Sequence, residues 1–176
     1  ALNLKQLSYV TVPVHLLNNG GEQHADEYRE LNPQESVPVL LDGARIFRQS
    51  MAIIEYLDEV YPEPPLLPGD ALARAYVRGL AQDIACEIHP LNNLRVLRYL
   101  SKELGVSEAD KTRWYQHWVE SGLSVVEQRL QREGRAGRFC LGDAPTLEQL
   151  TSTVDAITKT QATLTDRKST RLNSSH

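Results

Sequence analysis

The stretch VPVLLDGARIFRQSMAIIEYL, Val37 to Leu57, decides the fold. Val37-Pro38-Val39-Leu40-Leu41 is an apolar run, Asp42-Gly43 supplies turn chemistry, and Arg45-Ile46-Phe47 is a second short run. Two runs joined so tightly predict a β-hairpin. Beyond it Met51, Ile54, Leu57 and Tyr61 recur at helical spacing, with Glu55, Asp58 and Glu59 on a wet face. Two features remain to be explained: a proline inside a strand, and the polar pair Gln49-Ser50 where an apolar helix begins.

Working back towards the N-terminus, Ser8 to Val14 is β-branched and alternating, and predicts a strand closed by Pro13. His15 to Gly21 reads as a loop through Asn18-Asn19-Gly20-Gly21. Gln23 to Leu31 reads as a short polar helix ending before Asn32-Pro33. The order is βαββα, with a first strand and half a helix expected to precede Ala1. Ala1 to Lys5 reads as the last turns of that helix.

Working forward, Pro62 to Gly69 holds four prolines in PEPPLLPG, which favours a stiff extended linker. Everything after it reads as helical. Val77, Leu80, Ile84, Ile88 and Leu91 form one stripe of a long helix that Pro90 is expected to bend. Ser107 is the expected N-cap of a helix running towards Arg132, whose apolar residues (Trp114, Trp118, Val119, Leu123, Val125, Val126 and Leu130) face two directions. Such a helix belongs inside a bundle. Thr146-Leu147-Glu148-Gln149 has the spacing of a capping box. The expected domains are therefore 1–61, a linker at 62–69 and a helical domain at 70–150. Residues 151–176 carry no dependable pattern. Their last eleven, DRKSTRLNSSH at 166–176, are what a common sequencing-library adapter encodes, and are expected to be an assembly scar.

Hydrophobic content of 41% with 24% charged residues is that of an ordinary globular chain. The net charge of −4 gives no electrostatic reason to expect nucleic acid or an anionic membrane as partner. No apolar run approaches a membrane span and no secretory signal opens the chain, so the expected location is cytoplasmic. Cys86 and Cys140 are expected to be reduced, buried small hydrophobes. Neither they nor His15, His24 and His117 have metal-ligand spacing, and those histidines read as structural or surface residues.

The two oddities suggest one chemistry. A helix start carries free N–H groups and partial positive charge, a natural seat for a carboxylate. Ser50 offers a hydroxyl and Gln49 an amide, although Ser50 also suits a plain N-cap. Pro38 confines its strand to an edge. A cis Val37–Pro38 bond, which we expect, would leave the Val37 backbone able to pair with an extended peptide-like ligand; an inert edge proline is the alternative. Together these features describe a site for a small acidic peptide, and glutathione fits.

Asn32-Pro33, Val37 to Leu40 and Gln49 to Leu57 resemble the thioredoxin-like half of a glutathione S-transferase. Tyr61 to Pro68, Ile88-His89-Pro90-Leu91-Asn92-Asn93-Leu94-Arg95-Val96-Leu97, Trp114 to Trp118 and Phe139 to Asp143 narrow the resemblance to the zeta class, that of the maleylacetoacetate isomerases. The likeness runs from Ala1 to about Leu150. It implies a thioredoxin-like βαββα domain lacking its first strand, followed by the glutathione-transferase helical domain. It also implies glutathione-dependent cis–trans isomerisation of a small unsaturated dicarboxylic acid, maleylacetoacetate to fumarylacetoacetate, in tyrosine and phenylalanine breakdown, by a homodimer. Maleylpyruvate isomerisation, general glutathione transfer and a non-catalytic interaction domain are the rivals. By the resemblance Gln49 and Ser50 bind the γ-glutamyl carboxylate, Val37 before Pro38 pairs with the cysteinyl unit, and Gln23 reaches the glycyl end. His89, Asn93, Leu94 and Arg95 line the site from the helical domain. His89 also suits a helix kink and Arg95 a wet face. The class's thiol-activating Ser-Ser-Cys motif would precede Ala1. No catalytic residue is assigned, no metal is implied, and the chain alone is expected to be inactive.

Overall fold

A computed structural model describes residues 1–147, in two compact units that divide between Leu66 and Leu67. The first unit is built on the expected hairpin. β1 (Val39–Asp42) pairs antiparallel with β2 (Arg45–Arg48), in the register Val39 to Arg48, Leu40 to Phe47, Leu41 to Ile46 and Asp42 to Arg45. Gly43 opens the two-residue loop at a positive φ of 58°, which a residue without Cβ adopts freely. α1 (Asp26–Leu31) precedes the hairpin and α2 (Ser50–Val60) follows it. Tyr56 fastens α2 to the hairpin twice: its ring stacks on Phe47 at 4.0 Å and its hydroxyl donates to Asp42 at 2.5 Å. Arg48 Nε donates to the Leu31 carbonyl at 2.7 Å and holds β2 to the end of α1.

The α2 stripe is buried at Ile53, Ile54 and Leu57. Tyr61, expected to continue it, is 40% exposed, because it lies past the helix end. Asp58, expected on the wet face, instead receives Lys5, whose side chain is fully buried. Lys5 Nζ directs its three hydrogens to Asp58 Oδ1 (2.8 Å), the Tyr61 carbonyl (2.6 Å) and the Pro64 carbonyl (2.9 Å), which exhausts an ammonium group's donors. The segment that bears Lys5 is a run of turns with one α-helical bond, Lys5 N–H to the Ala1 carbonyl, followed by Gln6 N–H to the Asn3 carbonyl and Leu7 N–H to the Leu2 carbonyl.

Ser8 to Val14 is not a strand. It pairs with no other strand among the described residues, and Val10 and Val12 are exposed. β-branched alternation marks a chain able to join a sheet, but a ladder also needs a partner edge. The arrangement of α1, hairpin and α2 is that of a thioredoxin-like domain.

The second unit is helical. α3 (Ala71–Gln82) starts at Asp70, whose carboxylate accepts the Ala73 N–H at 2.8 Å. Val77, Leu80, Ile84 and Ile88 are buried as the stripe required, and Leu91 is half-buried. The backbone stays helical from Ala71 to Asn92, and its regular α-helical course is interrupted just before Pro90. A π-helical turn (Asp83–Ile88) closes α3, and Pro90 occupies the first turn of a new helix, α4 (His89–Asn92), where a missing N–H costs little. α5 (Leu94–Lys102) and α6 (Glu108–Glu133) follow. Ser107 caps α6 by accepting the Asp110 N–H at 3.1 Å. Gly134 ends it at a positive φ of 61°, the usual glycine stop.

Among the described residues, α6 is not enclosed as a bundle's inner helix would be. It packs on the π turn, α4 and α5, yet none of its residues is buried, and Leu123 and Val125 are half exposed. From α6, Arg129 also reaches α3, lying beside Gly79 and over the Tyr76 ring. The cysteines also differ from expectation. Cys86 is exposed because it sits two residues, half a turn, from both Ile84 and Ile88, which face the core; Cys140 is half-buried. Thr146 and Leu147 are buried, while Glu148 and Gln149 of the expected capping box lie outside the described residues, as does the 151–176 segment with its final eleven residues.

Candidate functional site

The hairpin register brings the two oddities together. Because Val39 pairs with Arg48, Val37-Pro38 and Gln49-Ser50 flank the same open end of the hairpin. The Val37–Pro38 bond is cis. Gln49 is the N-cap of α2 and Ser50 its first residue, so the plain-cap reading of Ser50 does not hold. The Gln49 side chain makes no capping bond. The start of α2 therefore presents N–H donors beside the Ser50 hydroxyl, at the positive end of an eleven-residue helix, where partial positive charge gathers. Gln49 adopts a positive φ of 70° with ψ 117°, outside the ordinary regions for a residue with Cβ. Backbone held so far from its preference persists where surrounding contacts impose it. Here Gln49 Nε2 donates to Gln34 Oε1 at 2.9 Å.

Gln34 belongs to a turn organised by Asn32, which is 1% exposed. Asn32 Nδ2 donates to the Ser36 carbonyl (2.7 Å) and hydroxyl (3.2 Å), and its Oδ1 accepts the Gln34 N–H (3.1 Å). The next residue, Glu35, points the other way. Its carboxylate takes His24 Nδ1 in a short hydrogen bond and Arg29 Nε at 3.0 Å. The His24 bond, foremost, and then Arg29 hold the Glu35 carboxyl below its ordinary value. His24 Nε2 meets Gln23 Nε2 at 3.0 Å. Gln23 itself is 5% exposed, with Oε1 buried and unpartnered. Consecutive residues of one turn thus reach Gln49 on one side and, through His24, Gln23 on the other.

On the second unit, Asn93 caps α5, its Oδ1 accepting the Arg95 N–H at 3.1 Å, while its Nδ2 meets His89 Nε2 at 3.3 Å. Leu94 is half-buried and Arg95 exposed. A residue not singled out from sequence stands among them. Both polar atoms of the Asn92 amide are buried without a partner. Its place in the run from His89 to Arg95 was the only signal available, because orphaned burial is a three-dimensional property. The contacts of Gln34 with Gln49, and of Glu35 and Gln23 with His24, were missed for the same reason. Among the described residues no helix is long and apolar enough to cross a membrane.

Comparison with known proteins places this geometry. The family described as "Glutathione S-transferase, N-terminal domain" matches residues 1–65. A probable maleylacetoacetate isomerase of Vibrio cholerae is 51% identical over 143 residues, 81% of this chain and 66% of that protein. A maleylpyruvate isomerase of a Ralstonia species is 47% identical over 84% of this chain and 68% of its own length. This chain therefore spans about two thirds of the length of these curated relatives. A solved maleylpyruvate isomerase, described as a bacterial zeta-class glutathione S-transferase in holo form, superposes with a TM-score of 0.82 at 42% identity, over 88% of this chain and 74% of that one. A maleylacetoacetate isomerase of Methylobacterium extorquens AM1, solved with malonate and glutathione bound, gives 0.81 at 39% identity, over 85% and 70%. With relatives this similar over this much of their length, the chain belongs to the glutathione S-transferase family, in its zeta class.

Proposed function

We propose that this protein is a glutathione-dependent cis–trans isomerase that converts maleylacetoacetate to fumarylacetoacetate in tyrosine and phenylalanine breakdown, acting in the cytoplasm as a homodimer. The observation that carries the reading is the start of α2, with Ser50 as its first residue, beside the cis Val37–Pro38 bond at the open end of the hairpin. A helix start with a hydroxyl on its first residue suits the γ-glutamyl carboxylate of glutathione. Gln49 and Ser50 take that carboxylate, Val37 next to Pro38 offers its backbone to the cysteinyl unit, and Gln23 serves the glycyl end. His89, Asn93, Leu94 and Arg95 are assigned to the site by resemblance alone. We place the glutathione-binding domain at 1–61, the linker at 62–69 and the helical domain at 70–150. Glutathione, when bound, supplies the thiolate that attacks the substrate double bond.

A second reading, maleylpyruvate as substrate, is favoured by the Ralstonia relative and by the solved zeta-class neighbour. The glutathione reading is tested by calorimetric titration of Ser50→Ala. Loss of a hydrogen bond to a charged group is worth about 1.5–3 kcal/mol, so binding weakens about tenfold or more. Unchanged affinity sinks the reading. Titrating the glutathione-loaded protein with each acid in turn decides between substrates, and tighter binding of maleylpyruvate overturns the first.

A further inference from the structure

We propose that His24, held by Glu35 and Arg29, is a positioning residue that fixes the side-chain amide of Gln23 for the glycyl end of glutathione. The proposal rests on the glutathione reading above and deepens it.

Three observations converge on Gln23. Its amide lies across the bare face of Gly21: a Cβ built there would stand 2.5 Å from Gln23 Nε2 and 2.6 Å from Oε1. Gly21 also adopts φ +118°, so the close approach and the backbone conformation both require glycine. The side chain is almost wholly buried, yet Oε1 has no partner. Among the described residues, the polar group that restrains the amide is the His24 ring.

The chemistry of that contact fixes the direction of each hydrogen bond. The Glu35 carboxylate faces His24 Nδ1 and only accepts, so Nδ1 carries the proton the two share. In the neutral ring Nε2 is then a bare acceptor, and the group facing it must be the Gln23 NH2 rather than its carbonyl. One amide hydrogen goes to His24. One N–H donor and the carbonyl acceptor remain for a ligand. The glycyl unit of glutathione offers the complement, a carboxylate that accepts and a peptide N–H that donates. Glu35 is itself pinned: it sits at a positive φ of 54°, its N–H donates to the Asn32 carbonyl at 2.8 Å, and Arg29 Nε and Nη1 bridge it to Asp26. Arg29, Glu35, His24 and Gln23 form one relay from the surface to a buried amide.

The test compares two peptides by calorimetric titration of the purified 176-residue protein: glutathione, and γ-glutamylcysteine, which lacks the glycyl unit. His24→Phe keeps the ring but removes the acceptor. It should weaken glutathione about fivefold, the worth of about one net hydrogen bond, and leave γ-glutamylcysteine unchanged. His24→Gln, which restores an acceptor near the Nε2 position, should bind glutathione within about twofold of the parent. Glu35→Gln, milder for the fold, should shift affinity in the same ligand-selective direction. Equal weakening for both peptides would mean a structural role and overturn the proposal, as would an unchanged glutathione affinity in His24→Phe. Ser50→Ala separates the layers. If it weakens binding while His24→Phe does not, the positioning proposal alone fails; if the parent binds no glutathione, both readings fail.

Discussion

At the scale of the residue, Lys5 carries the largest single electrostatic commitment in the first unit. Its side chain is fully buried and that of Asp58 is 11% exposed. Asp58 also accepts the Leu66 N–H at 2.8 Å, so one carboxylate anchors both the N-terminal turn and the segment after α2. A buried pair gains little over a well-packed apolar pair of the same shape, but removing one partner strands a charge away from water. Asp58→Ala should therefore cost about 3–5 kcal/mol in urea denaturation. Lys5→Met should cost less, because it removes the buried charge, keeps the stem's volume and leaves Asp58 its Leu66 donor. A loss below about 1 kcal/mol for Asp58→Ala would show that the pair is solvated rather than buried. Composition had no means of announcing the pair. The two residues lie 53 positions apart, and on the α2 periodicity Asp58 reads as solvent-facing.

At the scale of the element, the second unit turns on the contact between α6 and the π turn. Gly122 lies within α6, and a Cβ added there would run into Ile88 Cγ1 and stand 2.7 Å from Cδ1. Helix propensity alone favours Gly122→Ala by about 1 kcal/mol. Overpacking a filled contact costs about 1–3 kcal/mol, and a clash this close puts the expected effect on the destabilising side. Thermal unfolding should show Gly122→Ala below the parent. Combined with Ile88→Ala, it should lose less than the two single losses added, since the truncation empties the space the new methyl needs. Strict additivity, or a stabilised Gly122→Ala, would place α6 farther from the π turn. This level explains what was legible from sequence. The hairpin, α2, the α3 stripe and the Ser107 cap were readable because each is set by neighbours a few positions away. The Gln49-Ser50 and Val37-Pro38 pairs were readable for the same reason. Ser8–Val14 and the exposure of Leu123 and Val125 on α6 were not, because local pattern records readiness to pack and not whether a partner is there. Asn92 and the His24–Glu35 relay join groups whose meaning lies in burial, which no spacing encodes.

At the scale of the whole molecule, net charge and local carboxyl chemistry act in different pH ranges. With a pI of about 5.7, mild acid first removes the excess negative charge and relieves repulsion. Below that, particular carboxylates decide stability, one in each unit. Glu35 is held below its ordinary 4.5 by His24 first and then Arg29. Asp110, in the first turn of α6, is held below its ordinary 3.8 by the Ser107 hydroxyl at 2.6 Å first, and then by Arg113. A carboxyl whose pKa falls on folding contributes stability that is complete above its unfolded value, and lost as pH drops through the folded one. Glu35→Gln should therefore be less stable than the parent at pH 7, with the gap closing as pH falls below 4.5; for Asp110→Asn the gap should close below 3.8. The two carboxylates share no hydrogen-bond partner and lie in different units, so the double variant should show the sum of the two gaps at neutral pH. Urea denaturation from pH 7 to 3 reads all three. Gaps that stay constant across that range would mean that the side chains act by shape rather than by charge. A gap that widens in acid would reverse the sign of the linkage and place the protonated forms, not the carboxylates, in the native hydrogen bonds.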